Sequence, residues 1–299
     1  MQKLLLVTNP KAASGHGQKF VPEIVQRFAS RAIQSEIFCS DYAGHIESYI
    51  GKCDLSPYSA VIAIGGDGTL HEVLNGLYQQ DKTRRIPLGL IPAGTGNAFA
   101  RELGLFAGQW QQAVDVICAG KIRCVDSARY RYPGHQRYFI NIINMGFGVD
   151  AGRTAKKLKF LGNSSYTLGT LWQTLFLRSW PLTITLDGKR MEQSTVLASV
   201  SNSRYTGTSF LIAPDAQVDD GLLDVLILTD ISRLRILRLF PSIYKGEHIH
   251  YPEVTITRAK HILIETEELK ELTPDGEFNG CTPVEIDCLK QDVEFLWPN

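Results

Sequence analysis

A run of small and apolar residues that ends in closely spaced glycines constrains the fold of this chain more than any other stretch. Residues 59–64 lead into residues 65–69, of sequence GGDGT, and a helical pattern follows. A strand, a tight turn and a helix that begins at Thr69 are therefore predicted to meet here. The glycines can take positive φ and carry no β-carbon, so backbone N–H groups can approach a charged ligand closely. The free amides and partial positive charge of a helix N-terminus suit a phosphate.

Asp67 lies among these predicted amide donors, and its carboxylate would repel a bare phosphate. Either a divalent cation bridges the two anions, or the carboxylate takes a proton from a hydroxyl. This combination indicates a nucleotide phosphate together with a metal. The spacing matches neither the Walker A loop nor the G-x-G-x-x-G dinucleotide fingerprint. On this stretch alone, a glycine-rich connection without a ligand is the alternative.

Composition sets broad limits on the class of protein. The chain has 299 residues with 44% hydrophobic content, which allows one large or two medium globular domains. Basic and acidic residues number 31 each, so overall charge gives no attraction to nucleic acid. The six cysteines form no C-x-x-C pair and no apolar leader precedes Leu4, so we expect reduced thiols in a cytoplasmic protein. No run reaches the roughly 18 apolar residues of a transmembrane helix.

The first part of the chain alternates between predicted strands and helices. The predicted strands cover 3–8, 33–39, 59–64 and 87–91, and the predicted helices cover about 18–32, 45–52, a segment from 69 onward, and 98–103. Short glycine turns after the strands are typical of a parallel doubly wound sheet. Ligands bind such sheets outside the carboxyl ends of the strands. Three loops, around Asn9, Gly65 and Gly94, are therefore predicted to share one ligand.

After about Asp126 the pattern changes to short, β-rich segments. The predicted strands cover 139–143, 182–186, 196–201, 210–213, 222–228, 254–256, 262–265, 284–286 and 293–297. Such strands with few helices indicate a sandwich or partial barrel. We therefore predict an N-terminal doubly wound α/β domain over residues 1–126 and a C-terminal β-rich sandwich domain over residues 127–287.

Five motifs, in this order, resemble those of the diacylglycerol kinase catalytic domain family, and most closely those of its soluble bacterial lipid kinases. They are NP at 9–10, GGDGT at 65–69, GTGN at 94–97, DDGLLD at 219–224 and DGE at 275–277. Their order along nearly the whole chain makes the resemblance specific, because GGDGT alone is shared with NAD kinases and is similar to the phosphofructokinase loop. The resemblance implies ATP- and Mg-dependent phosphorylation of a lipid hydroxyl. It also implies an N-terminal ATP-binding domain of the phosphofructokinase and NAD kinase type, a C-terminal lipid-substrate domain, ATP between the two, and a final strand, about 288–299, that returns to the first domain.

The resemblance also implies a set of nucleotide contacts. These are Asn9, Ser40, Gly65, Gly66, Asp67, Gly68, Thr69, Leu70, His71, Gly94, Thr95 and Asn97. Ser40 stands where relatives often have threonine, and it keeps the hydroxyl. Ala98 departs from the family pattern G-T-x-N-D-F-A-R, so a carboxylate carried by relatives is missing here.

An acidic turn near the C-terminus supplies the candidate base. The acceptor hydroxyl needs a carboxylate within hydrogen-bond reach to take its proton. Residues 274–276, of sequence PDG, also suit a plain exposed β-turn. The resemblance favours Glu277 as the proton acceptor and Asp275 as its support, with Asp67 as the remaining catalytic candidate.

A second acidic turn is the candidate metal site. The resemblance implies a Mg²⁺ site built from the Asp220 carboxylate and the main-chain carbonyls of Gln217 and Leu222, since oxygen ligands suit this hard cation. Its role would be structural, within a network to which Asp126 could belong. The alternative is a plain Asp-Gly turn that leads into the strand at 222–228.

Two basic amphipathic segments are candidates for contact with lipid. Residues 151–180 carry five basic and no acidic residues beside apolar residues at helical spacing, and residues 231–246 repeat the pattern. Their members are Arg153, Lys156, Lys157, Lys159 and Arg178 beside Leu168, Leu171, Trp172, Leu175 and Phe176, and then Arg233, Arg235, Arg238 and Lys245 beside Leu234, Leu237 and Phe240. Such helices suit an anionic membrane surface. The alternative is that their apolar faces pack on the β-rich domain.

These predictions favour a soluble lipid kinase that meets its lipid substrate peripherally, at the inner face of a membrane, without a transmembrane segment. The oligomeric state stays open. An NAD kinase-like enzyme is the second candidate, because the glycine loop is shared. A nucleotide-binding regulator without catalysis is the third, since Ala98 removes a carboxylate, although the presence of both Asp275 and Glu277 argues against it.

Overall fold

A computed structural model of the chain describes residues 3–10, 17–94, 96–157, 164–207 and 209–299. The chain forms two compact units, Met1–Ser127 with Gln291–Asn299, and Ala128–Lys290. The first unit is a parallel α/β unit and the second is antiparallel and β-rich, which confirms the predicted fold class. The assignment of nucleotide to the first unit and lipid to the second stays a prediction. Within the described ranges, no helix is both long and apolar enough to span a membrane.

The regular elements are numbered here in chain order. The strands are β1 (Lys3–Thr8), β2 (Gln34–Cys39), β3 (Ala60–Gly65), β4 (Leu88–Pro92), β5 (Ile122–Tyr132), β6 (His135–Phe139), β7 (Ile142–Gly146), β8 (Trp180–Leu186), β9 (Lys189–Ser201), β10 (Tyr205–Thr206), β11 (Phe210–Leu211), β12 (Leu223–Thr229), β13 (Val254–Ala259), β14 (His261–Glu265), β15 (Leu272–Pro274) and β16 (Val284–Leu296). The helices are α1 (Val21–Ala29), α2 (His45–Lys52), α3 (Asp67–Gln79), α4 (Trp110–Ala119), α5 (Phe147–Lys157), α6 (Ser164–Thr174) and α7 (Arg233–Leu239).

The sheet of the first unit is parallel, in the order β16–β4–β3–β1–β2, with the C-terminal part of β16 at one side. Strands β3 and β4 are buried along their whole length, as expected for parallel strands that helices cover on both faces. Helix α1 packs against α4, and α2 packs against α3. A β-carbon at Gly76 of α3 would lie 2.7 Å from Cβ of Ile50 in α2, so only glycine allows this helix contact. The fold thus brings the carboxyl ends of four neighbouring strands to one edge.

The second unit is built from antiparallel strands. Its main sheet has the order β13–β12–β9–β8–β14–β16, while β7 pairs with β9 and β15, and β5 pairs with β6 and β16. The long strand β9 pairs first with β8 and then, beyond Thr195, with β7 and β12. This change of partners along one strand wraps the strands around a shared apolar core.

Strand β12 is buried on both of its faces. Leu223, Val225 and Ile227 point into the core of the β-rich unit, whereas Leu226 and Leu228 point into a second apolar cluster. Ile236 and Leu239 of α7 belong to that second cluster. Burying each such side chain contributes about 1.5–3 kcal/mol. A helical layer therefore covers one face of the β-rich unit.

Several predicted elements differ from the structure. The predicted strand at 139–143 falls across the end of β6 and the start of β7, and the predicted helix at 98–103 is only a short 3₁₀ turn, Phe99–Arg101. Helix α4 was not predicted, although Ala113, Val114 and Ile117 mark its buried face. The two predicted strands near the C-terminus are one strand, β16, whose polar middle interrupts the apolar pattern.

Candidate functional site

Four neighbouring strand ends bring the predicted nucleotide contacts of the first unit together. Asn9 follows β1 and Ser40 follows β2, and the N–H of Ser40 donates to the carbonyl of Thr8 (2.9 Å). The two glycine loops follow β3 and β4. Because all four strands are parallel, these groups lie at the same edge of the sheet. Thr95, also predicted as a contact, lies outside the described residues.

The two glycine loops touch each other through their backbones. A β-carbon on Gly94 would lie 2.3 Å from Cα of Gly66 and 2.6 Å from its nitrogen, distances that real β-carbons do not reach. A β-carbon on Gly65 would lie 2.2 Å from the Thr69 hydroxyl oxygen. The freedom of these glycines to take positive φ is not used, because Gly66 has φ −107°, Gly65 belongs to β3 and Gly68 to α3. The glycines are needed here for close approach and not for a left-handed backbone.

Asp67 joins the two loops. Its carboxylate accepts hydrogen bonds from the backbone N–H of Ala98 (3.0 Å) and of Phe99 (3.2 Å). As the first residue of α3, it also places a negative charge at the positive end of the helix dipole. A carboxylate is also the kind of oxygen ligand that Mg²⁺ prefers. Asp67 thus has a structural role in addition to any role toward a ligand.

Asn97 closes the second loop on itself. Its side-chain oxygen accepts from the Gly94 N–H (3.0 Å), and its side-chain amide donates to the Gly94 carbonyl (2.6 Å). Asn97 has φ +50°, which asparagine tolerates better than most residues, and its side chain is buried. Asn97 therefore shapes the loop from within.

The hydrogen bonds at the start of α3 reduce the number of backbone amides that could bind a phosphate. The helix begins at Asp67, two residues before the predicted start, and the N–H groups of Thr69 and Leu70 both donate to the Gly66 carbonyl. The side chains of Thr69, Leu70 and His71 are buried, so these three residues support the turn from the core side. The amides that precede them in the turn, those of Gly66 and Gly68, are the candidate phosphate donors.

Ser40 offers a buried hydroxyl at the same edge. Its side chain is 4% exposed, and its Oγ has no hydrogen-bond partner among the residues that the structure describes. An unpaired buried hydroxyl costs free energy, so such groups usually have a role or a ligand. Asn9, which follows the neighbouring strand β1, is half-buried.

The acidic turn of the second unit separates its two carboxylates. Asp275 and Gly276 both have positive φ (49° and 84°), and the Glu277 N–H donates to the Pro274 carbonyl (2.8 Å). This is a type I′ turn. The Asp275 side chain is 5% exposed, whereas Glu277 is exposed. The alternative of a plain exposed acidic turn therefore fails for Asp275.

Three backbone amides hold the Asp275 carboxylate. The N–H groups of Ile140 (3.3 Å), Asn141 (2.9 Å) and Ile142 (3.3 Å) all donate to it. The Asn202 side-chain amide donates to the Ile140 carbonyl (2.8 Å), and Ser203 hydrogen-bonds to the Asn141 side chain. Sequence reasoning missed this polar cluster, although the polar residues at 199 and 201–203, at the buried end of strand β9, are its signal. Asp275 is thus the anchor of the turn that presents Glu277.

The predicted Mg²⁺ turn fits a cation only in part. Asp220 Oδ1 accepts from the Leu222 N–H (2.9 Å), and Oδ2 lies 4.0 Å from Nη1 of Arg258. The same guanidinium pairs with Asp224 (3.3 Å) and donates to the Asp215 carbonyl (2.7 Å). Burial raises the pKa of the Asp224 carboxyl, and Arg258 opposes this rise. Gln217 is exposed and Leu222 is half-buried, so their main-chain carbonyls remain candidate ligands for Mg²⁺. The Arg258 guanidinium already places a positive charge beside Asp220.

Asp126 has a backbone partner within the first unit. Its carboxylate accepts from the Gln291 N–H (2.6 Å), which holds the returning strand β16 to the first unit. Asp292, one residue further, pairs with Arg85 (3.0 Å) and accepts from the Tyr78 hydroxyl (2.9 Å). The suggested place of Asp126 in a metal network stays a prediction.

Most of the apolar side chains named in the amphipathic segments are exposed, whereas Phe240 is half-buried and packs against Phe210. On α6 and just beyond it, Leu171, Trp172, Leu175 and Phe176 are 43–58% exposed, and on α7 Leu234 is 75% exposed. The structural alternative, in which these apolar residues pack on the β-rich unit, is wrong for them. Exposed basic residues flank them, namely Arg178, Arg233, Arg238 and Lys245. Lys159 lies outside the described residues, and the side chain of Lys156 is not described.

Another cluster of polar side chains has the composition of a metal site, but arginine side chains already neutralise its carboxylates. His261, Glu285 and Asp287 lie close enough to share an ion. However, Arg131 pairs with both carboxylates (2.9 Å each), and Arg129 pairs with Asp287 (2.9 Å). We interpret this cluster as a surface network of ion pairs.

Comparisons with known proteins agree with the division into two units. Residues 3–130 match the model of the diacylglycerol kinase catalytic domain, and residues 141–297 match that of the YegS C-terminal NAD kinase beta sandwich-like domain. The chain is 31% identical over 299 residues to a diacylglycerol kinase of Mycobacterium tuberculosis, covering 99% of this chain and 95% of that protein. It is 29% identical over 300 residues to a diacylglycerol kinase of Bacillus subtilis, covering 100% of this chain and 97% of that protein.

Solved structures extend the likeness to the fold. The structure of a diacylglycerol kinase from Bacillus anthracis strain Sterne matches with a TM-score of 0.74 at 26% identity, covering 99% of this chain and 97% of that chain. Another structure from the same strain matches with a TM-score of 0.82 at 30% identity and the same coverage. With both domain models matched and relatives aligned over nearly their whole length, the chain belongs to the diacylglycerol kinase catalytic domain family.

Proposed function

We propose that this protein is an ATP- and Mg-dependent lipid kinase that transfers the γ-phosphate to a lipid hydroxyl. The candidate acceptors are diacylglycerol-like lipids, phosphatidylglycerol and sphingoid bases. The observation that carries the proposal is the pair of glycine loops held together at Gly66 and Gly94, at the carboxyl edge of a parallel sheet. Relatives named diacylglycerol kinase over the full length of the chain support a lipid as the acceptor.

The first unit has the equipment that phosphoryl transfer requires. This reaction depends on positioning and on charge stabilisation more than on covalent chemistry. Mg²⁺, when bound with ATP, neutralises charge on the phosphate oxygens. In our proposal the backbone amides of Gly66 and Gly68 bind phosphate oxygens, and Asp67 would hold the cation while it keeps the two loops together. The unpaired Ser40 hydroxyl supplies a further hydrogen bond to the nucleotide.

The second unit supplies the base in this proposal. Glu277 is the exposed carboxylate of the turn, and it takes the proton from the acceptor hydroxyl. Asp275 is a positioning residue, since three amides fix its carboxylate and it in turn fixes the turn. In this proposal Glu277 thus transfers the proton, and Asp275 holds the turn in position.

The apolar and basic surface of α6 and α7 suits a membrane as the source of the acceptor. Exposed leucine, tryptophan and phenylalanine side chains favour the headgroup and acyl boundary, while each well-placed cation adds about 1 kcal/mol at an anionic surface. We propose peripheral contact of this surface with an anionic membrane. The lipid hydroxyl then reaches the enzyme without leaving the bilayer completely.

An NAD kinase-like activity is the second candidate. The family model that matches residues 141–297 describes a NAD kinase beta sandwich-like domain, and the glycine loop is shared with NAD kinases. Acceptor specificity separates the two candidates. It also separates both from a nucleotide-binding regulator, which would transfer no phosphate.

The test is a transfer assay with ATP labelled at the γ-phosphate. Diacylglycerol, ceramide, a sphingoid base and phosphatidylglycerol are presented in neutral or anionic vesicles, and NAD is presented in solution. We expect label in at least one lipid, with faster transfer from anionic vesicles. Label in NAD alone would establish the second candidate, and no label in any acceptor would support the regulator.

A further inference from the structure

An exposed aromatic ring lies at the edge of the parallel sheet that carries the proposed nucleotide contacts. Tyr42 follows Ser40 by two residues, in the segment that connects β2 with α2, and it is 60% exposed. Exposure alone indicates nothing, because single apolar residues are common on protein surfaces. The ring contacts of Tyr42 and its place in the fold are the informative features.

A group of aromatic side chains holds the Tyr42 ring in place. The ring lies parallel to that of His45, with centroids 4.5 Å apart and 4° between the planes. His45 meets the Phe38 ring edge to face (4.9 Å, 79°), and Phe38 stacks on Tyr49 (3.7 Å, 7°). The Asp41 backbone N–H donates to His45 Nδ1 (3.2 Å). Since His45 covers one face of the Tyr42 ring, the exposed area of Tyr42 includes the other face, which is flat and already oriented.

The fold places this ring beside the crevice in which a doubly wound sheet binds its ligand. The chain runs from β1 through α1 to β2, and it returns through α2 to β3 on the other side of β1. Because such crossovers are right-handed, α1 and α2 lie on opposite faces, and the crevice opens at the carboxyl ends of β1 and β3. The Ser40 N–H donates to the Thr8 carbonyl at the end of β1 (2.9 Å). The segment that carries Tyr42 therefore begins at the edge of this crevice.

The proposed phosphate turn lies two strands away from this segment. Strands β2, β1 and β3 are adjacent, and neighbouring strands are about 4.8 Å apart, so the ends of β2 and β3 are separated by about 10 Å. The ribose and the phosphate chain of a nucleotide span a distance of this size between the base and the terminal phosphates. A nucleotide whose phosphates bind at Gly66 and Gly68 can therefore bring its base to Tyr42.

Glu72 ties the aromatic group to the glycine turn. It belongs to α3, the helix that begins in that turn, and its carboxylate accepts from the Ile46 N–H in the first turn of α2 (3.1 Å). The close packing of Gly76 in α3 on Ile50 in α2 joins the same two helices. His45 is the first residue of α2, so the aromatic group is held in a fixed relation to the phosphate turn. A site that is pre-organised in this way loses little free energy to ordering when a ligand binds.

We propose that the free face of the Tyr42 ring stacks on the nucleotide base and that the site therefore prefers purine over pyrimidine nucleotides. The inference rests on the proposed function, because it concerns the nucleotide of the same site, and it adds the residue that selects the base. Stacking on an aromatic ring strengthens with the area of overlap, and a purine has two fused rings where a pyrimidine has one. Tyr42 is a specificity-determining residue and takes no part in phosphoryl transfer.

The test measures binding, so it does not depend on transfer to a lipid. The wild type is titrated calorimetrically with the Mg²⁺ complexes of ATP, GTP, CTP and UTP, and with that of tripolyphosphate, which has no base. We expect ATP and GTP to bind at least about fivefold more tightly than CTP and UTP. Equal affinity for the four nucleotides would overturn the proposal.

Three variants locate the effect at Tyr42. Tyr42→Ala removes the ring and should weaken Mg-ATP binding by about 5- to 100-fold, while tripolyphosphate binds as it does to the wild type. Tyr42→Phe keeps the ring and should keep the preference for purines. Ile37→Ala is the matched control, since Ile37 is an exposed apolar residue of β2 on the face opposite Phe38, and it should bind like the wild type. Unchanged ATP affinity in Tyr42→Ala, or an equal loss for tripolyphosphate, would overturn the assignment.

A fluorescence measurement gives a second reading that does not rely on a loss of affinity. In Tyr42→Trp the base should stack on the introduced indole, so Mg-ATP should quench the emission beyond the change seen in the wild type, and tripolyphosphate should not. The absence of extra quenching would overturn the proposal.

The outcomes separate this inference from the proposed function. If no lipid accepts label in the transfer assay but the purine preference depends on Tyr42, the lipid kinase function fails and the base site stands. If label is transferred to a lipid and Tyr42→Ala binds Mg-ATP like the wild type, only the base site fails.

Discussion

Gly66 and Gly94 lie so close together that a β-carbon on Gly94 would be 2.3 Å from Cα of Gly66. The contact joins two loops that are 28 residues apart in the chain, and Asp67 reinforces it by accepting two amides of the second loop. The nucleotide proposal depends on this contact, because it holds the second loop against the turn that carries the Gly66 and Gly68 amides.

Gly94→Ala should force the two loops apart. Overpacking of this kind costs about 1–3 kcal/mol, and the displaced amides should weaken Mg-ATP binding at least about tenfold. Gly152→Ala is the matched control, because a β-carbon at Gly152 meets no atom within 4 Å and alanine favours a helix. The measurements are thermal melting and calorimetric titration with Mg-ATP. Wild-type affinity in Gly94→Ala would contradict the proposed phosphate site.

Glu277→Gln and Asp275→Asn should have different effects. Glu277 is exposed, so Glu277→Gln should melt like the wild type while kcat falls by about 10²–10⁴. Asp275→Asn turns an amide group toward the three donors of residues 140–142, so it should cost about 1–3 kcal/mol of stability. Melting curves and steady-state kinetics separate the two effects. If Glu277→Gln keeps full turnover, the proton acceptor is another group, and Asp67 becomes the candidate.

The prediction for Gly94→Ala could not have been made from the sequence alone. GGDGT and GTGN indicated two phosphate loops, but nothing in either motif says that Gly66 and Gly94 touch, since that contact depends on the register of β3 and β4. The bonds from Asp67 to residues 98 and 99 are equally non-local. The pattern offered two properties of these glycines, positive φ and the lack of a β-carbon, and the structure uses the second.

The spacing of apolar residues predicted helices and strands correctly where burial follows a regular period, and it failed where burial is irregular. The helix at 45–52 and the alternation of strands and helices were predicted, because apolar spacing follows the core there. Strand β16 was predicted as two strands, since its middle is polar where Gln291 takes φ +49°. The buried role of Asp275 was also beyond the pattern, because its donors lie more than 130 residues earlier in the chain. The exposed faces of α6 and α7 depend on tertiary packing in the same way.

Mg²⁺ should raise the melting temperature of the wild type through the Asp220 turn. A ligand that binds only the folded state stabilises it by mass action, by about 2.7 kcal/mol at 100 times its Kd. Asp220→Ala should lose this gain, whereas Asp215→Ala should keep it, because Asp215 contacts Arg258 only through its main-chain carbonyl. Melting is measured in EDTA and in Mg²⁺ without nucleotide. Identical wild-type melting in both would mean that Arg258 alone supplies the positive charge.

Arg258→Met should destabilise the protein more at pH 7.5 than at pH 5. Burial raises the pKa of the Asp224 carboxyl, and Arg258 opposes this rise. An acid with a raised folded-state pKa favours folding when protonated, and this contribution is lost as pH rises through that pKa. Without Arg258 the loss at neutral pH is larger. The difference in melting temperature between wild type and variant should therefore narrow as pH falls.

The double variant Arg258→Met, Asp224→Asn is the control for this pH dependence. It has no carboxyl at position 224, so most of the widening between pH 5 and pH 7.5 should disappear. A gap that depends on pH as strongly as in the single variant would assign the effect to other acids, such as Asp220.

The central claim is that the glycine loops deliver phosphate from ATP to a lipid. Its most direct test follows label from the γ-phosphate of ATP during incubation with diacylglycerol in anionic vesicles, followed by separation of organic and aqueous phases. The account predicts Mg-dependent label in the organic phase for the wild type and for Gly152→Ala, and none for Asp67→Ala. Label that stays in the aqueous phase for the wild type, or organic label that persists in Asp67→Ala, would contradict it.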